Sequence, residues 1–199
     1  VLADYPHRDG CIGNGAGLDT PASIIAALRG LKAAGYRVED IPEDGDALIG
    51  QLQAAIRDRD TDETFPRGDY AGVFASLPLE AQEAVTARWG VPERDPFFRE
   101  SRLDGGDFVI PTIRCGNIIV ALEPARGYDI DHPESVYHAP DLPPPHGYLA
   151  FYAWLNDTVR AHAVVHFGKH GDLEWLPGAA VVLSAACFAD ALLAVANAR

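Results

Sequence analysis

The first forty residues place the strongest limit on how this chain folds. Residues 1–5 are apolar enough for a buried strand, and the glycine-rich stretch Gly10–Gly17 follows. Thr20 and Pro21 then predict the start of a helix, because Thr is a good N-cap and Pro suits the first helical turn. Residues 36–38 are a candidate second strand. A strand, a helix and a strand in this order form the crossover of parallel sheets, which predicts an α/β fold.

The middle of the chain continues this alternation. Apolar residues at helical spacing predict helices over 43–58 and 79–89, and apolar runs at 108–110 and 113–122 predict strands. The link between those two runs, Pro111-Thr112, is too short for a helical crossover, so we expect a β-hairpin or a bent strand there.

Proline dominates the stretch 123–147, which we expect to be a long loop, because such loops in compact domains usually carry function. A strongly apolar helix at 147–159 and a strand at 161–167 follow, and then a loop at 168–178. The expected architecture is therefore a mostly parallel sheet flanked by helices, with a long proline-rich loop. A β-hairpin is an optional addition to this sheet.

Composition narrows the class of protein. Apolar residues make up 48% of the 199 residues and charged residues 23%, which suits a globular core. The net charge of −13 argues against nucleic acid and against anionic membranes, both of which attract basic proteins, but it allows an anionic ligand in a local basic pocket. The chain has no apolar run of membrane-spanning length, and its three separated cysteines fit the reducing cytoplasm.

The sequence favours one α/β domain, or part of one, over residues 1–199, with a weak subdivision near residues 59–106. The chain contains no Met and opens within an apparent strand. We therefore expect it to be a piece of a much longer polypeptide.

Three stretches could carry chemistry. In the first, the glycines before Thr20 could bring backbone N–H groups against an anion, although a tight strand-to-helix turn is the favoured explanation. The second is the loop that bears His166, His170 and Glu174, where imidazole and carboxylate groups suit a divalent first-row metal. The alternative for these three residues is one core histidine with two solvated neighbours.

The third stretch is an acidic, histidine-bearing loop with Asp129, Asp131, His132, His138 and His146. Asp and Pro are common turn formers, so an ordinary surface loop is favoured over a metal site here.

Four longer strings resemble a known family: LDTPAS (18–23), GNIIVALEPARGYD (116–129), DLPPPHGYLAFYAWL (141–155) and HFGKHGDLEWLPG (166–178). They are similar to the large subunits of aerobic cobaltochelatase, the CobN type, and of magnesium chelatase. The resemblance covers nearly the whole chain but only a slice of a family member.

The resemblance implies a ligase that forms nitrogen–metal bonds, a subunit that binds a tetrapyrrole and hosts metal insertion. Partner AAA+ subunits would hydrolyse ATP. In the cobalt branch, which the last two strings favour, Co²⁺ enters hydrogenobyrinic acid a,c-diamide in cobalamin biosynthesis. In the magnesium branch the acceptor is protoporphyrin IX. A non-catalytic scaffold that docks the ATPases is a further alternative, and a fragment of this size would be inactive alone.

Site residues follow from combining the resemblance with the chemistry of insertion. We expect His166, His170 and Glu174 to bind the incoming metal, with His170 and Glu174 catalytic and Glu174 the proton acceptor. His146, Tyr148 and Lys169 are expected to bind the substrate. No bound cofactor is predicted.

Overall fold

A computed structural model describes residues 1–3, 14–15, 17–58, 61, 63–101, 105–127 and 141–168. In chain order its elements are β1 (Leu2–Ala3), β2 (Asn14–Gly15), β3 (Leu18–Asp19), α1 (Thr20–Ala33), α2 (Gly45–Asp58), β4 (Thr64–Pro66), α3 (Arg67–Ser76), α4 (Leu79–Trp89), a 3₁₀ turn (Pro92–Arg94), β5 (Phe98–Arg99), β6 (Asp107–Val109), β7 (Thr112–Cys115), β8 (Ile118–Glu123), α5 (His146–Ala153) and a short π-helix (Trp154–Val159).

The described residues form two compact units. The first consists of residues 1–63, 110–123 and 165–168, and the second of residues 64–109 and 124–164. No helix among the described residues is long and apolar enough to cross a membrane.

The first unit is built on the strand order β1-β8-β7. Strand β1 runs parallel to β8 and is bridged on its other side to Phe167, whereas β7 is antiparallel to β8. Helices α1 and α2 pack together, and their apolar faces share one core with the sheet. That core contains Leu2, Ile24, Ile25, Leu28, Val38, Leu48, Leu52, Cys115, Val120 and Leu122.

Helix α1 shows how local chemistry sets its ends. The Asp19 side chain caps the helix by accepting a hydrogen bond from the Ala22 N–H at 3.0 Å, so the prediction of Thr20 as N-cap is wrong by one residue. The helix ends at Ala33, and two residues later Gly35, with a φ of 93°, lets the chain turn back. The Tyr36 N–H then bonds to the Leu31 carbonyl and satisfies an otherwise open helix end.

The hairpin lies within the segment that was predicted as one strand, residues 113–122. Strands β7 and β8 pair across a two-residue turn, Gly116-Asn117, rather than at Pro111-Thr112. Gly116 has a φ of 66°, and a Cβ there would lie 2.7 Å from the Arg37 carbonyl oxygen. The predicted strand at 36–38 is absent; those residues pass beside the turn, where Arg37 accepts a hydrogen bond from the Asn117 N–H.

The second unit contains a separate antiparallel sheet of order β4-β6-β5, with Phe65 and Phe98 both opposite Phe108. Pro66 lies on the edge strand β4, where its missing N–H costs no ladder bond. Every residue of α5 is buried, so this helix forms the centre of the unit rather than its surface. Its aromatic residues pack on one another, with Phe151 against Tyr152 and Trp154.

The mixed α/β class is confirmed, but the mostly parallel sheet is not. Among the described strands, β1 and β8 form the one parallel pair, and the other pairs are antiparallel. Strand β4 and helix α3 occupy residues for which the sequence predicts no helix or strand. The predicted strand at 161–167 is reduced to an extended segment with a single bridge. Most of the proline-rich loop, residues 128–140, lies outside the described residues.

Candidate functional site

Helix α5 begins directly after three consecutive prolines, Pro143-Pro144-Pro145, with His146 as its first residue. Proline lacks an N–H and has a fixed φ, so this segment enters the helix extended and stiff. The Trp89 indole N–H donates a 2.8 Å hydrogen bond to the Pro143 carbonyl and ties the segment to the end of α4. The start of α5 is therefore held in place from outside the helix.

The His146 ring is hydrogen-bonded at both nitrogens and almost fully buried. Its Nε2 lies 3.1 Å from the Gly90 carbonyl oxygen, and its Nδ1 lies 2.6 Å from the Tyr70 hydroxyl. The carbonyl can only accept, so Nε2 carries the proton and donates to it. In the neutral ring Nδ1 then accepts, and Tyr70 is the donor. We call Tyr70, His146 and the Gly90 carbonyl the histidine relay.

Burial keeps the histidine relay in this protonation state. It lowers the pKa of His146, which favours the neutral ring, although the bond to Gly90 and the charges of Asp95 and Glu93 act in the opposite direction. Burial, together with the Asp95 charge, raises the pKa of Tyr70, so its hydroxyl stays a donor. The relay is therefore a neutral, fully bonded group with no free lone pair on the imidazole for a metal or a proton.

A buried carboxylate completes the anchoring of α5. Asp95 Oδ2 accepts a 2.7 Å hydrogen bond from the Gly147 N–H, and Asp95 Oδ1 accepts one of 2.9 Å from the Phe97 N–H. Gly147 is in the first turn of α5, where backbone N–H groups have no partner within the helix. A negative charge is also favoured at that end of a helix. Asp95 thus acts as an N-cap supplied from 52 residues away.

A cavity of about 170 Å³ opens beside the histidine relay. Tyr70 and His146 are its buried floor, and Phe74, Val91 and Pro92 contribute apolar walls. The rim carries Arg67, Ala71 and Thr86, which are exposed. A cavity of about 150 Å³ can hold a benzene-sized molecule, so this one takes a small ring or a side arm and is far too small for a whole macrocycle.

Among the described residues that line the cavity, Arg67 is the one that carries a charge. Its Nε and Nη2 both bind Oε1 of Glu93, at 2.6 Å and 2.5 Å. Within the described part of the chain, this use of Nε and Nη2 leaves Nη1 without a hydrogen-bond partner. The Glu93 pKa is lowered by its own backbone hydrogen bond and then by Arg67, so this carboxylate stays ionised.

The structure places only part of the predicted site. His146 lines the cavity, whereas Tyr148 is fully buried and packs on Tyr152. The His166 side chain is exposed, in the extended segment whose neighbours Val165 and Phe167 hydrogen-bond to Val1. Lys169, His170 and Glu174 lie outside the described residues, so the proposed metal triad stays a prediction. No group of three His, Cys, Asp or Glu side chains within the described ranges could hold a metal ion.

Reasoning from the sequence did not identify three residues of this site: Arg67, Tyr70 and Asp95. Tyr70 and Asp95 are 76 and 52 residues from the groups that they bind in α5. No local pattern reports such pairings. One weak signal was available, because Asp side chains often accept a hydrogen bond from the backbone N–H two residues on, and Asp95 does so from Phe97.

The sequence as a whole matches one protein family. The family model described as CobN/Magnesium Chelatase matches residues 1–196. The chain belongs to this family. The four strings quoted from the sequence lie within the matched residues, and the resemblance to cobaltochelatase and magnesium chelatase large subunits is therefore confirmed.

The sequence identity of the chain differs between relatives from the two branches of the family. The chain is 52% identical over 197 residues to the aerobic cobaltochelatase subunit CobN of Sinorhizobium sp, covering 96% of this chain and 15% of that protein. It is 30% identical over 200 residues to the magnesium-chelatase subunit ChlH of Oryza sativa subsp. indica, covering 97% of this chain and 14% of the relative.

A solved structure shares the fold. The catalytic subunit of cobaltochelatase from Mycobacterium tuberculosis matches with a TM-score of 0.81 and 43% identity, over 98% of this chain and 16% of that one. The chain thus spans about one sixth or less of the length of the relatives that it matches.

Proposed function

We propose that this chain is part of the large subunit of a cobaltochelatase, the subunit that binds a tetrapyrrole and hosts the insertion of Co²⁺. The observation that carries the proposal is the gap between 52% identity to a CobN subunit and 30% identity to a ChlH subunit. The acceptor is hydrogenobyrinic acid a,c-diamide, and AAA+ partner subunits hydrolyse the ATP. The complex acts in the cytoplasm, in the biosynthesis of cobalamin.

The insertion has simple chemical requirements. As Co²⁺ binds the ring nitrogens, the inner N–H protons must leave, and the ion must lose its water ligands. We assign proton acceptance to Glu174 and transient metal ligation to His166 and His170. These groups bind a metal only when they are deprotonated, so insertion weakens below the ordinary histidine pKa of about 6.5.

The described geometry supports His146 as a fixed part of a binding surface rather than as a catalytic group. Its nitrogens are both occupied in the histidine relay, and Asp95 holds the next residue of the helix. We therefore place His146 in substrate binding as part of the cavity floor and keep the acid–base chemistry with Glu174. Tyr148 and Lys169 remain assigned to substrate binding.

The decisive experiment measures cobalt insertion by the full-length subunit with its ATPase partners. A His170→Ala, Glu174→Ala double variant is expected to lose insertion while it still binds the tetrapyrrole. His162→Ala is the matched control, because His162 is exposed and lies in the same segment as His166. Insertion at the normal rate by the double variant would remove both residues from the mechanism and favour the scaffold alternative, in which the chain only docks ATPases.

The magnesium branch is the second candidate, because the ChlH relative matches over the same length of chain. Titration of the full-length subunit with each acceptor separates the two. Tighter binding of protoporphyrin IX than of hydrogenobyrinic acid a,c-diamide would assign the chain to magnesium chelatase.

A further inference from the structure

We propose that the cavity beside the histidine relay is a subsite for one carboxylate-bearing arm of the tetrapyrrole, together with the ring edge that carries the arm. The identity of the parent molecule rests on the proposed function; the subsite itself rests on the cavity. Both candidate acceptors carry carboxylate arms on five-membered rings, so the inference holds for either branch.

The volume of the cavity and its apolar lining suit a single ring with a short arm. The volume of about 170 Å³ fits a single ring with a short arm, and the walls formed by Phe74, Val91 and Pro92 suit an apolar body. The buried floor offers no free donor or acceptor at the ring nitrogens of His146, because the histidine relay uses both. An apolar group can therefore cover the floor without breaking a hydrogen bond.

The charge of the cavity lining indicates that the arm ends in an anionic group. The chain carries a net charge of −13, yet the described residues that line the cavity include a cation, Arg67, and no carboxylate. Glu93 occupies Nε and Nη2 of this guanidinium, and among the described residues Nη1 has no hydrogen-bond partner. A carboxylate there would gain a charge-assisted hydrogen bond. Glu93 would repel it, so the two residues should have opposite effects on affinity.

The test uses the full-length subunit with 3-phenylpropionate as the probe and its neutral amide, 3-phenylpropanamide, as the matched ligand. Titration followed by NMR gives both affinities without metal, ATP or partner subunits. Arg67→Gln should weaken 3-phenylpropionate by roughly tenfold, because it removes a charged hydrogen bond. Glu93→Gln should strengthen it by roughly threefold, because it removes a nearby like charge but keeps a carbonyl for Arg67.

Arg88→Gln is the control for net charge, because Arg88 lies over the Trp89 ring and does not line the cavity. The amide should respond little to any of the three variants. Equal losses for Arg67→Gln and Arg88→Gln, or equal losses for the acid and the amide, would overturn the subsite.

A second measurement ties the subsite to the tetrapyrrole. Arg67→Gln should weaken hydrogenobyrinic acid a,c-diamide, and Glu93→Gln should strengthen it, by factors similar to those for the probe. Unchanged tetrapyrrole affinity in both variants would overturn the assignment of the arm even if the probe behaves as expected. Failure of cobalt insertion in the wild-type complex would instead count against the proposed function, and the probe titrations would stand.

Discussion

Removing one oxygen atom from the histidine relay tests how the start of α5 is held. In Tyr70→Phe the ring remains, with its packing against Phe74 and Phe108, while the donor to His146 Nδ1 disappears. Nδ1 is then a buried acceptor without a partner. Such a group costs about 1–3 kcal/mol, because it has lost its bond to water and gains none in the protein.

The cost should appear as easier local opening of α5. Since about 1.4 kcal/mol is a factor of ten, amide hydrogen exchange over His146–Ala153 should speed up by about 5- to 150-fold. Hydrogen exchange followed by mass spectrometry in the full-length subunit reads this peptide separately from the rest of a large protein, whose overall unfolding would not be two-state.

Tyr36→Phe is the matched control, because it removes the same atom from an exposed tyrosine. It should leave exchange in α5 unchanged. If Tyr70→Phe also leaves exchange in α5 within about twofold of the wild type, the Tyr70 hydroxyl does not hold the helix and the reasoning is refuted.

Two further predictions concern pH and glycine. Burial lowers the pKa of His146 in the folded state, so below about pH 6.5 the folded state binds fewer protons than the unfolded state. The amides of α5 should therefore exchange faster as the pH falls from about 6.5 to the lowered pKa, after correction for intrinsic exchange rates. An exchange rate that does not change over this range would contradict the prediction. Gly116→Ala should weaken the β7–β8 hairpin by more than about 1 kcal/mol, because the added Cβ meets a carbonyl oxygen at a positive φ. Gly50→Ala, in open space on α2, is the control and should stabilise that helix by about 0.5–1 kcal/mol. Hydrogen exchange in the full-length subunit reads both elements, and unchanged exchange over the hairpin in Gly116→Ala would argue against the close approach.

Local signals predicted helices in both units. The end of α1 is encoded by Gly35, and α4 occupies the predicted residues, Leu79–Trp89. Helix α3 was missed because two glycines interrupt its sequence and Tyr70 is its one buried residue. The hairpin was misplaced although the dipeptide Gly116-Asn117 is a known two-residue hairpin signal, because the long apolar run around it favoured a single strand.

The role of His146 shows where sequence reasoning ends and why. The string around it marked the residue, and its buried position agrees with the apolar helix that follows, but its partners come from α3 and from the end of α4. A helix that is buried on every side needs partners for the N–H groups of its first turn, and three prolines before it supply no side-chain oxygen to cap them. The fold meets this need at Gly147 with Asp95, and the relay separately satisfies both ring nitrogens of His146. The same anchoring leaves the floor of the cavity neutral and saturated with hydrogen bonds, so charge recognition at this place falls to Arg67 on the rim.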